Sequence, residues 1–315
     1  MGSAFICGSS KIEVKHSLPP GENGPIYLAY NEETNGEGTI DFSEYGLKVG
    51  DTIEVICIGA GGGGGCGGTG RRGGDGGQDG DGYVRVETPT TENPDKNIWY
   101  CLGLSGGGIG AGGGGGCGEK VWSGDYATYG GAGGGSGAIS HKSLILDKLI
   151  FEYTIGKAGK GSTSNTATKT SEDGGTTYFG STDNFLLKAN GGHGGENAFG
   201  SNPEPLPNCG IGGEAEEENS LAGKKGGDGG PPGSWLGQNG FNSNHYGGNG
   251  GAGGGGWIVT TFKDKIATDA INGTVTRTET SGGYNMSNTA NLPGTFGKSV
   301  IPESTTGHGG ILIWF

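Results

Sequence analysis

The chain has 315 residues, of which 79 are glycine, and only 30% of its residues are hydrophobic. With 12 prolines and no strict Gly-X-Y repeat it is not a collagen, and its glycine content alone would indicate disorder. The 10 Phe, 11 Tyr and 5 Trp residues and several apolar strand patterns oppose disorder. A formal net charge of −13, with no basic run longer than the pairs Arg71-Arg72 and Lys224-Lys225, argues against nucleic acid or an anionic membrane as partner.

The first strands in chain order are predicted at residues 10–15, 26–30 and 39–42. They form an expected N-terminal β region of residues 1–50, which holds either an attachment element or the first strands. The glycine-rich domain is expected to cover residues 51–315. It begins with the strongest strand pattern of the chain, TIEVICI at residues 52–58, which is rich in β-branched residues and leads directly into glycine.

A glycine-rich segment, IGAGGGGGCG, occurs twice, at residues 58–67 and 109–118. It has no side chains with which to form an ordinary core, so its order must come from its backbone groups. We therefore expect both copies to be held by backbone hydrogen bonds at the packed centre of the domain.

Glycine also recurs at every third position in residues 67–78 and again from residue 247 to residue 256. Three residues per turn is the period of a polyproline-II-like helix, which has no internal hydrogen bonds. Several such helices with glycine facing inward would pack backbone to backbone. The expected structural glycine core comprises Gly61, Gly62, Gly63, Gly112, Gly113, Gly114, Gly247, Gly250 and Gly253.

Further strand patterns lie at residues 82–87, 97–102, 138–140, 149–156, 257–262 and 274–278. Residues 176–180 and 185–189 predict a hairpin. The apolar C-terminal strand, residues 310–315, must be buried in a sheet or against a partner. No amphipathic helix pattern is present. We predict an all-β fold of short antiparallel strands, β-sandwich-like, combined with packed polyglycine-II-type helices and long glycine-rich loops.

Motifs for catalysis or cofactor binding are weak. The GxGxxG match at residues 59–64 follows from polyglycine itself, and neither Gly-Lys-Ser/Thr nor a helix pattern comes after it. We expect no enzymatic activity and no cofactor.

The six cysteines lack CxxC spacing, which favours free thiols over disulfides or zinc. Asp75, Asp79 and Asp81 are a weak calcium candidate, with a solvated turn as the simpler interpretation. His193 and His308 are isolated, as surface or packing histidines usually are.

Aromatic residues set among glycines are the candidates for receptor contact, because aromatic side chains suit both carbohydrate and protein surfaces. A structural role is equally consistent with their pattern, since they could cap the glycine stack or fill the β core. The candidates are Trp122, Tyr126, Tyr129, Trp235, Phe241, His245 and Tyr246.

The order of these elements resembles the glycine-rich domains of bacteriophage and prophage tail fibres and related tail proteins. The shared motifs are VICIGAGGGG at residues 55–64, YTIGKAG at 153–159, TYFG at 177–180, LKANGG at 187–192 and GGILIW at 309–314. Residues 201–240 and 263–302 depart from the pattern. There is a looser likeness to phage adhesins with packed polyglycine helices and to glycine-rich ice-binding proteins.

The resemblance implies a receptor-binding tail adhesin, a viral protein used for host cell attachment. It would bind a bacterial surface glycan or protein, join other phage tail proteins and form a homotrimer. The implied location is the virion tail after synthesis in the bacterial cytoplasm. From the residues themselves we expect no signal peptide and no membrane insertion, because no basic region precedes a long apolar run at the N-terminus and no segment has the 18 or so apolar residues of a membrane span. The acidic charge likewise predicts no nucleic-acid binding. Two alternatives stay open: a purely structural component that joins other tail proteins, and an ice-binding or other extracellular glycine-rich adhesin.

Overall fold

The computed structural model describes residues 25–67, 72, 75–78, 84–85, 99–100, 108–116, 130–163, 171–198, 211–216, 220–222, 233–234, 245–246, 253–259, 265–267, 275–280, 283–288 and 307–315. Strands dominate these residues, so the all-β prediction is confirmed. In these ranges the single helix is a short 3-10 helix, Phe42–Tyr45, and no helix has the length and apolarity to cross a membrane. The strands are β1 (Ile26–Ala29), β2 (Glu37–Asp41), β3 (Thr52–Ile58), β4 (Val84–Arg85), β5 (Trp99–Tyr100), β6 (Ile139–Ile145), β7 (Ile150–Thr154), β8 (Thr177–Ser181), β9 (Asn184–Ala189), β10 (Ser220–Leu221), β11 (Gly233–Ser234), β12 (His245–Tyr246), β13 (Trp257–Val259), β14 (Lys265–Ala267), β15 (Val275–Thr280), β16 (Gly283–Asn288) and β17 (Gly310–Trp314).

Two antiparallel sheets form a sandwich. The five-stranded sheet has the order β1-β17-β3-β6-β10, and the four-stranded sheet has the order β2-β7-β8-β9. The remaining strands pair as two-stranded sheets, β4-β5, β11-β12, β13-β14 and β15-β16. The C-terminal strand β17 lies between β1 and β3, which confirms the prediction that this apolar segment is buried.

The main hydrophobic core lies between the two sheets. Alternate residues of β3 (Ile53, Val55 and Cys57) face Phe151 of β7 and Phe179 of β8 in one buried cluster. The Phe151 and Phe179 rings stack with centroids 5.4 Å apart. Because burial disfavours the thiolate, it raises the pKa of the Cys57 thiol, and both Cys57 and Cys66 carry free thiols.

The opposite face of the five-stranded sheet is also covered. Ile56 and Ile58 of β3 pack there with Ile109 and Trp257 in a second buried cluster. Strand β3 is therefore buried on both faces, which explains why apolar and polar residues alternate in only part of its sequence.

Most strand predictions are confirmed within the described residues, including the hairpin that pairs β8 with β9. The main difference is β6, which runs to Ile145 although the sequence predicts only its first residues as a strand. Its polar stretch His141-Lys142-Ser143 interrupts the apolar pattern, yet the backbone pairs with β3 along its whole length. The predicted strand at residues 10–15 lies outside the described residues.

A pair of phenylalanines tests this core. Phe179→Ala removes a fully buried ring and should lower the free energy of unfolding by about 3–5 kcal/mol in urea titrations. The matched control is Phe185→Ala, because Phe185 is 37% exposed and should cost less than about 1.5 kcal/mol. Similar losses for the two variants would contradict this placement of the core.

Candidate functional site: the glycine bundle and its free end

The first glycine repeat continues β3 and is enclosed by protein on all sides. We call residues 59–66 the central segment, and every residue in it is buried. With almost no side chains, it can satisfy its peptide groups only through the backbones around it.

The N–H groups of the central segment bond to the same neighbour at every third residue. Three donors reach one segment, residues 130–138, and two reach another, residues 171–175. The bonds are Gly59 to Ala138 (2.9 Å), Gly62 to Gly135 (2.9 Å), Gly65 to Ala132 (2.7 Å), Ala60 to Gly175 (3.0 Å), Gly63 to Glu172 (3.0 Å) and, to a third neighbour, Gly61 to Gly307 (2.8 Å).

Its carbonyl groups follow the same period toward three different neighbours, residues 190–198, 156–162 and 110–116. Ala60, Gly63 and Cys66 accept from Gly192, Gly195 and Ala198; Gly61 and Gly64 accept from Gly159 and Ser162; Gly62 and Gly65 accept from Gly113 and Gly116. The second copy of the repeat, residues 110–116, is therefore one of the neighbours of the first.

These neighbours also bond to one another and close a ring around the central segment. The donor–acceptor pairs around the ring are Gly134–Gly113, Ala132–Glu196, Gly174–Gly192, Glu172–Lys160, Gly309–Gly156 and Gly110–His308. We call the central segment and this ring the glycine bundle. Two outer segments, residues 211–213 and 253–256, bond to the ring from outside, for example through Gly213 to Ser136 and Gly112 to Gly254.

The close approach of these backbones leaves no space for side chains. A Cβ atom added at Gly61 or Gly64 would overlap the carbonyl of Ala111 or Gly114, and one added at Gly62 would overlap the carbonyl of His193. Since the obstructing atoms are backbone, no rotamer change relieves the clash.

Two buried hydroxyl side chains and one partly buried amide side chain complete hydrogen bonds at the edges of the bundle. The Thr177 Oγ1 donates to the Ile58 carbonyl (2.7 Å) and accepts from the Gly156 N–H (3.0 Å). The Ser171 hydroxyl lies within hydrogen-bond distance of the Gly63 carbonyl (2.6 Å), and Asn197 Oδ1 accepts from the Cys66 N–H (2.8 Å). Sequence patterns do not reveal these residues, because an isolated Ser, Thr or Asn next to glycine has the pattern of an ordinary loop.

The bundle has one end at the sandwich and one free end. Strands β3, β7 and β9 lead into it, and β6, β8 and β17 are continuous with segments that leave it. At the opposite end the ring segments terminate beside Gly65 and Cys66, as the bonds from Gly116 and Ala198 show. Four described ranges end here, at residues 67, 116, 163 and 198, and the ranges that begin at residues 130 and 171 start here.

The predicted contact residues are only partly described. Trp122, Tyr126 and Tyr129 lie outside the described residues, but the segment that contains them is bounded by Gly116 and Gly130 at the free end. Trp235 and Phe241 also lie outside the described residues. His245 and Tyr246 form β12, which pairs with β11.

The predicted core glycines that are described lie in the bundle or beside it. Gly61, Gly62 and Gly63 belong to the central segment, Gly112, Gly113 and Gly114 to the ring, and Gly253 to an outer segment; Gly247 and Gly250 lie outside the described residues.

Of the three aspartates predicted as a weak calcium site, Asp75 lies within the described residues, and its carboxylate has hydrogen-bond partners in the protein. Asp75 Oδ1 accepts from the Gly161 N–H (2.8 Å) and from Arg72 Nη2 (2.7 Å). Asp79 and Asp81 lie outside the described residues, so the calcium site stays a prediction. Among the residues described, no group of three His, Cys, Asp or Glu side chains is placed to hold a metal ion.

Charged side chains occupy the outside of the bundle near the sandwich. Lys157 Nζ lies 3.0 Å from Glu32 Oε2, and their hydrogen bond lowers the pKa of Glu32 and raises that of Lys157. Both side chains are well exposed to solvent, so we assign this pair little stabilising energy.

The chain matches no known family model, no curated protein and no solved structure.

Substituting one glycine tests the packing of the bundle. Gly64→Ala places a methyl group against the Gly114 backbone and should lower the free energy of unfolding by at least about 3 kcal/mol, or abolish cooperative unfolding. The control is Gly46→Ala, where nothing lies within 4 Å of an added Cβ but φ is +78°. Its left-handed backbone should cost about 1 kcal/mol. Equal costs in thermal denaturation would contradict the close packing.

Replacing Thr177 by valine tests the buried hydroxyl. Thr177→Val keeps the shape of the side chain but leaves the Gly156 N–H without its acceptor, and should cost about 1–3 kcal/mol. Thr39→Val on the exposed part of β2 is the control and should change stability by less than about 0.5 kcal/mol. If chemical denaturation gives the same stability for both variants, the Thr177 hydroxyl has no structural role.

Proposed function

We propose that the glycine bundle consists of polyglycine-II-type helices, packed hexagonally around the central segment. The three-residue period of the hydrogen bonds supports this proposal, because a helix with three residues per turn directs its peptide groups to the same neighbour once per turn. A helix of this kind has no internal hydrogen bonds, and in the central segment the bonds run to other segments of the chain.

On this scaffold we propose that the protein is a receptor-binding tail adhesin of a phage or phage-like particle. The observation that carries the proposal is the free end of the bundle, where the described residues that flank 117–129 and 164–170 lie, together with Ala198, which precedes residues 199–210. Several connections that converge at one end of a rigid support are a common arrangement for recognition, because the scaffold fixes the loop ends and the loops vary in sequence.

The composition of these connections fits contact with a bacterial surface. Residues 117–129 contain Trp122, Tyr126 and Tyr129, whose aromatic rings suit a glycan or a protein surface, and residues 164–170 are rich in hydroxyl side chains. The opposite end of the molecule fits attachment to other tail proteins. There Ile26, the first residue of β1, pairs with Ile313 of β17, whereas Ala29 pairs with Gly310 beside the bundle, so β1 begins at the end of the sandwich away from the bundle.

The homotrimer and the location in the virion tail belong to the same proposal and rest on the resemblance alone. Light scattering of the purified protein gives the oligomeric state independently of any receptor.

A cell-binding assay tests the adhesin. We expect the labelled full-length protein to bind at least one member of a panel of intact bacterial cells or their purified surface glycans. The triple variant Trp122→Ala, Tyr126→Ala, Tyr129→Ala should lose at least about tenfold in affinity, because aromatic contacts of this kind dominate recognition. Phe185→Ala changes an exposed aromatic residue of the sandwich and should bind like the unchanged protein.

Two outcomes contradict parts of this proposal. A folded protein that binds no cell or glycan of the panel would favour the purely structural tail component. Undiminished binding by the triple variant would remove residues 117–129 from the contact surface, and the remaining free-end connections would then be tested.

A further inference from the structure

The ring around the central segment is closed by its shortest member, residues 307–309, just before β17. Three backbone bonds hold it in place, from Gly61 to the Gly307 carbonyl (2.8 Å), from Gly110 to the His308 carbonyl (3.0 Å) and from Gly309 to the Gly156 carbonyl (2.9 Å). We call residues 307–309 the closing segment. It contacts the central segment and both of its ring neighbours. Residues 75–78 link the same two neighbours farther along the bundle, through Gly76 to Gly159 and Gly114 to Gln78, so loss of the closing segment opens the ring at its sandwich end.

The only side chain in the closing segment belongs to His308, and it adds a fourth bond. Its Nδ1 accepts from the Ala158 N–H at 3.1 Å. A backbone amide can only donate, so Nδ1 must be unprotonated in this arrangement, and the proton of the neutral ring lies on Nε2. The ring is stacked on Tyr30, with centroids 4.3 Å apart and planes 1° from parallel.

We propose that His308 makes closure of the glycine bundle sensitive to mild acid, because protonation of Nδ1 breaks its bond to Ala158 and releases the closing segment from the ring. A protonated Nδ1 would point an N–H group at the Ala158 N–H, and the two donors repel each other. The inference concerns the closing segment only and does not depend on the adhesin proposal.

The surroundings of His308 favour the neutral ring at neutral pH. Burial is the largest influence and lowers the pKa of His308, and the positive charge of Lys157 lowers it further, whereas the carboxylates of Glu32 and Asp75 act in the opposite direction. Lys160 also lies near Glu32 and, like Lys157, lowers the pKa of that carboxyl. Tyr30 would attract a cationic ring, but Lys157 Nζ already lies 5.7 Å from the centroid of that tyrosine.

The direction of the pH effect follows from this lowered pKa. A histidine whose pKa is lower in the closed state than in the open state resists protonation while closed. Closure is therefore fully stable above the ordinary histidine pKa of about 6.5 and loses stability as the pH falls below it.

Amide hydrogen exchange of the full-length protein at pH 7.5 and 5.5 tests the proposal. After correction for the intrinsic exchange rate, the protection of the Gly61 and Gly110 amides should be about threefold to tenfold lower at pH 5.5 than at pH 7.5. Tenfold is about the largest change that the binding of one proton can cause over this pH range. The Gly62 and Gly65 amides are internal controls, because they bond to residues 130–138 instead. Their protection should not change.

Variants and a direct titration identify the group responsible. His308→Asn supplies an acceptor that does not titrate and should abolish the pH dependence, whereas His193→Asn, outside the closing segment, should retain it. In the unsubstituted protein, the NMR titration of the His308 ring should give a pKa below the ordinary histidine value of about 6.5, and Gly61 protection should fall between pH 6.5 and that pKa. This measurement needs no variant to fold.

Three results would overturn the proposal. They are equal protection of Gly61 at both pH values, a fall shared by Gly62 and Gly65, and a His308 ring that titrates at or above the ordinary histidine pKa of about 6.5.

Discussion

The structure depends on the peptide groups of residues 59–66, which lie away from water and must find hydrogen-bond partners. A β-strand offers partners on only two sides, and a segment without side chains has little apolar surface to bury. Here the N–H and C=O groups are directed to neighbours all around the segment, which requires backbones to approach where Cβ atoms would otherwise lie. The glycine content of the chain is thus a geometric requirement of this packing, and glycine's high conformational entropy in the unfolded state is its cost.

The sandwich and the bundle are formed by the same stretches of chain, but different interactions stabilise them. In the sandwich, side chains such as Phe151 and Phe179 fill the space between two sheets and supply the hydrophobic free energy that glycine lacks. Beyond Ile58 and Thr154 the strands continue as glycine-rich segments and approach one another until their backbones are in contact. The sandwich therefore fixes the spacing and register at one end, and we interpret the bundle as a rigid extension of that register toward the free end.

Much of the strand order could be predicted from the sequence, because TIEVICI, TYFG and GILIW carry apolar and β-branched patterns that depend on local chemistry. The neighbours of each glycine segment could not. The two copies of IGAGGGGGCG are identical, yet one lies at the centre and the other in the ring, because β3 leads directly into the first copy. Residues 307–309 gave no signal as a ring member, since a short Gly-His-Gly has no periodicity of its own. The aromatic contact candidates illustrate a further limit, because composition identifies suitable side chains without placing them.

The position of the closing segment has a consequence for folding. The central segment is synthesised early, but the acceptor for Gly61 comes from Gly307, far later in the sequence. Gly307 directly precedes β17, which lies between β1 and β3. Contacts between residues so distant in sequence carry a large loop-closure entropy before any interaction compensates for it. Folding should therefore be slow and dominated by late events, and a nascent chain would keep its polyglycine centre hydrated until residues 307–314 have left the ribosome.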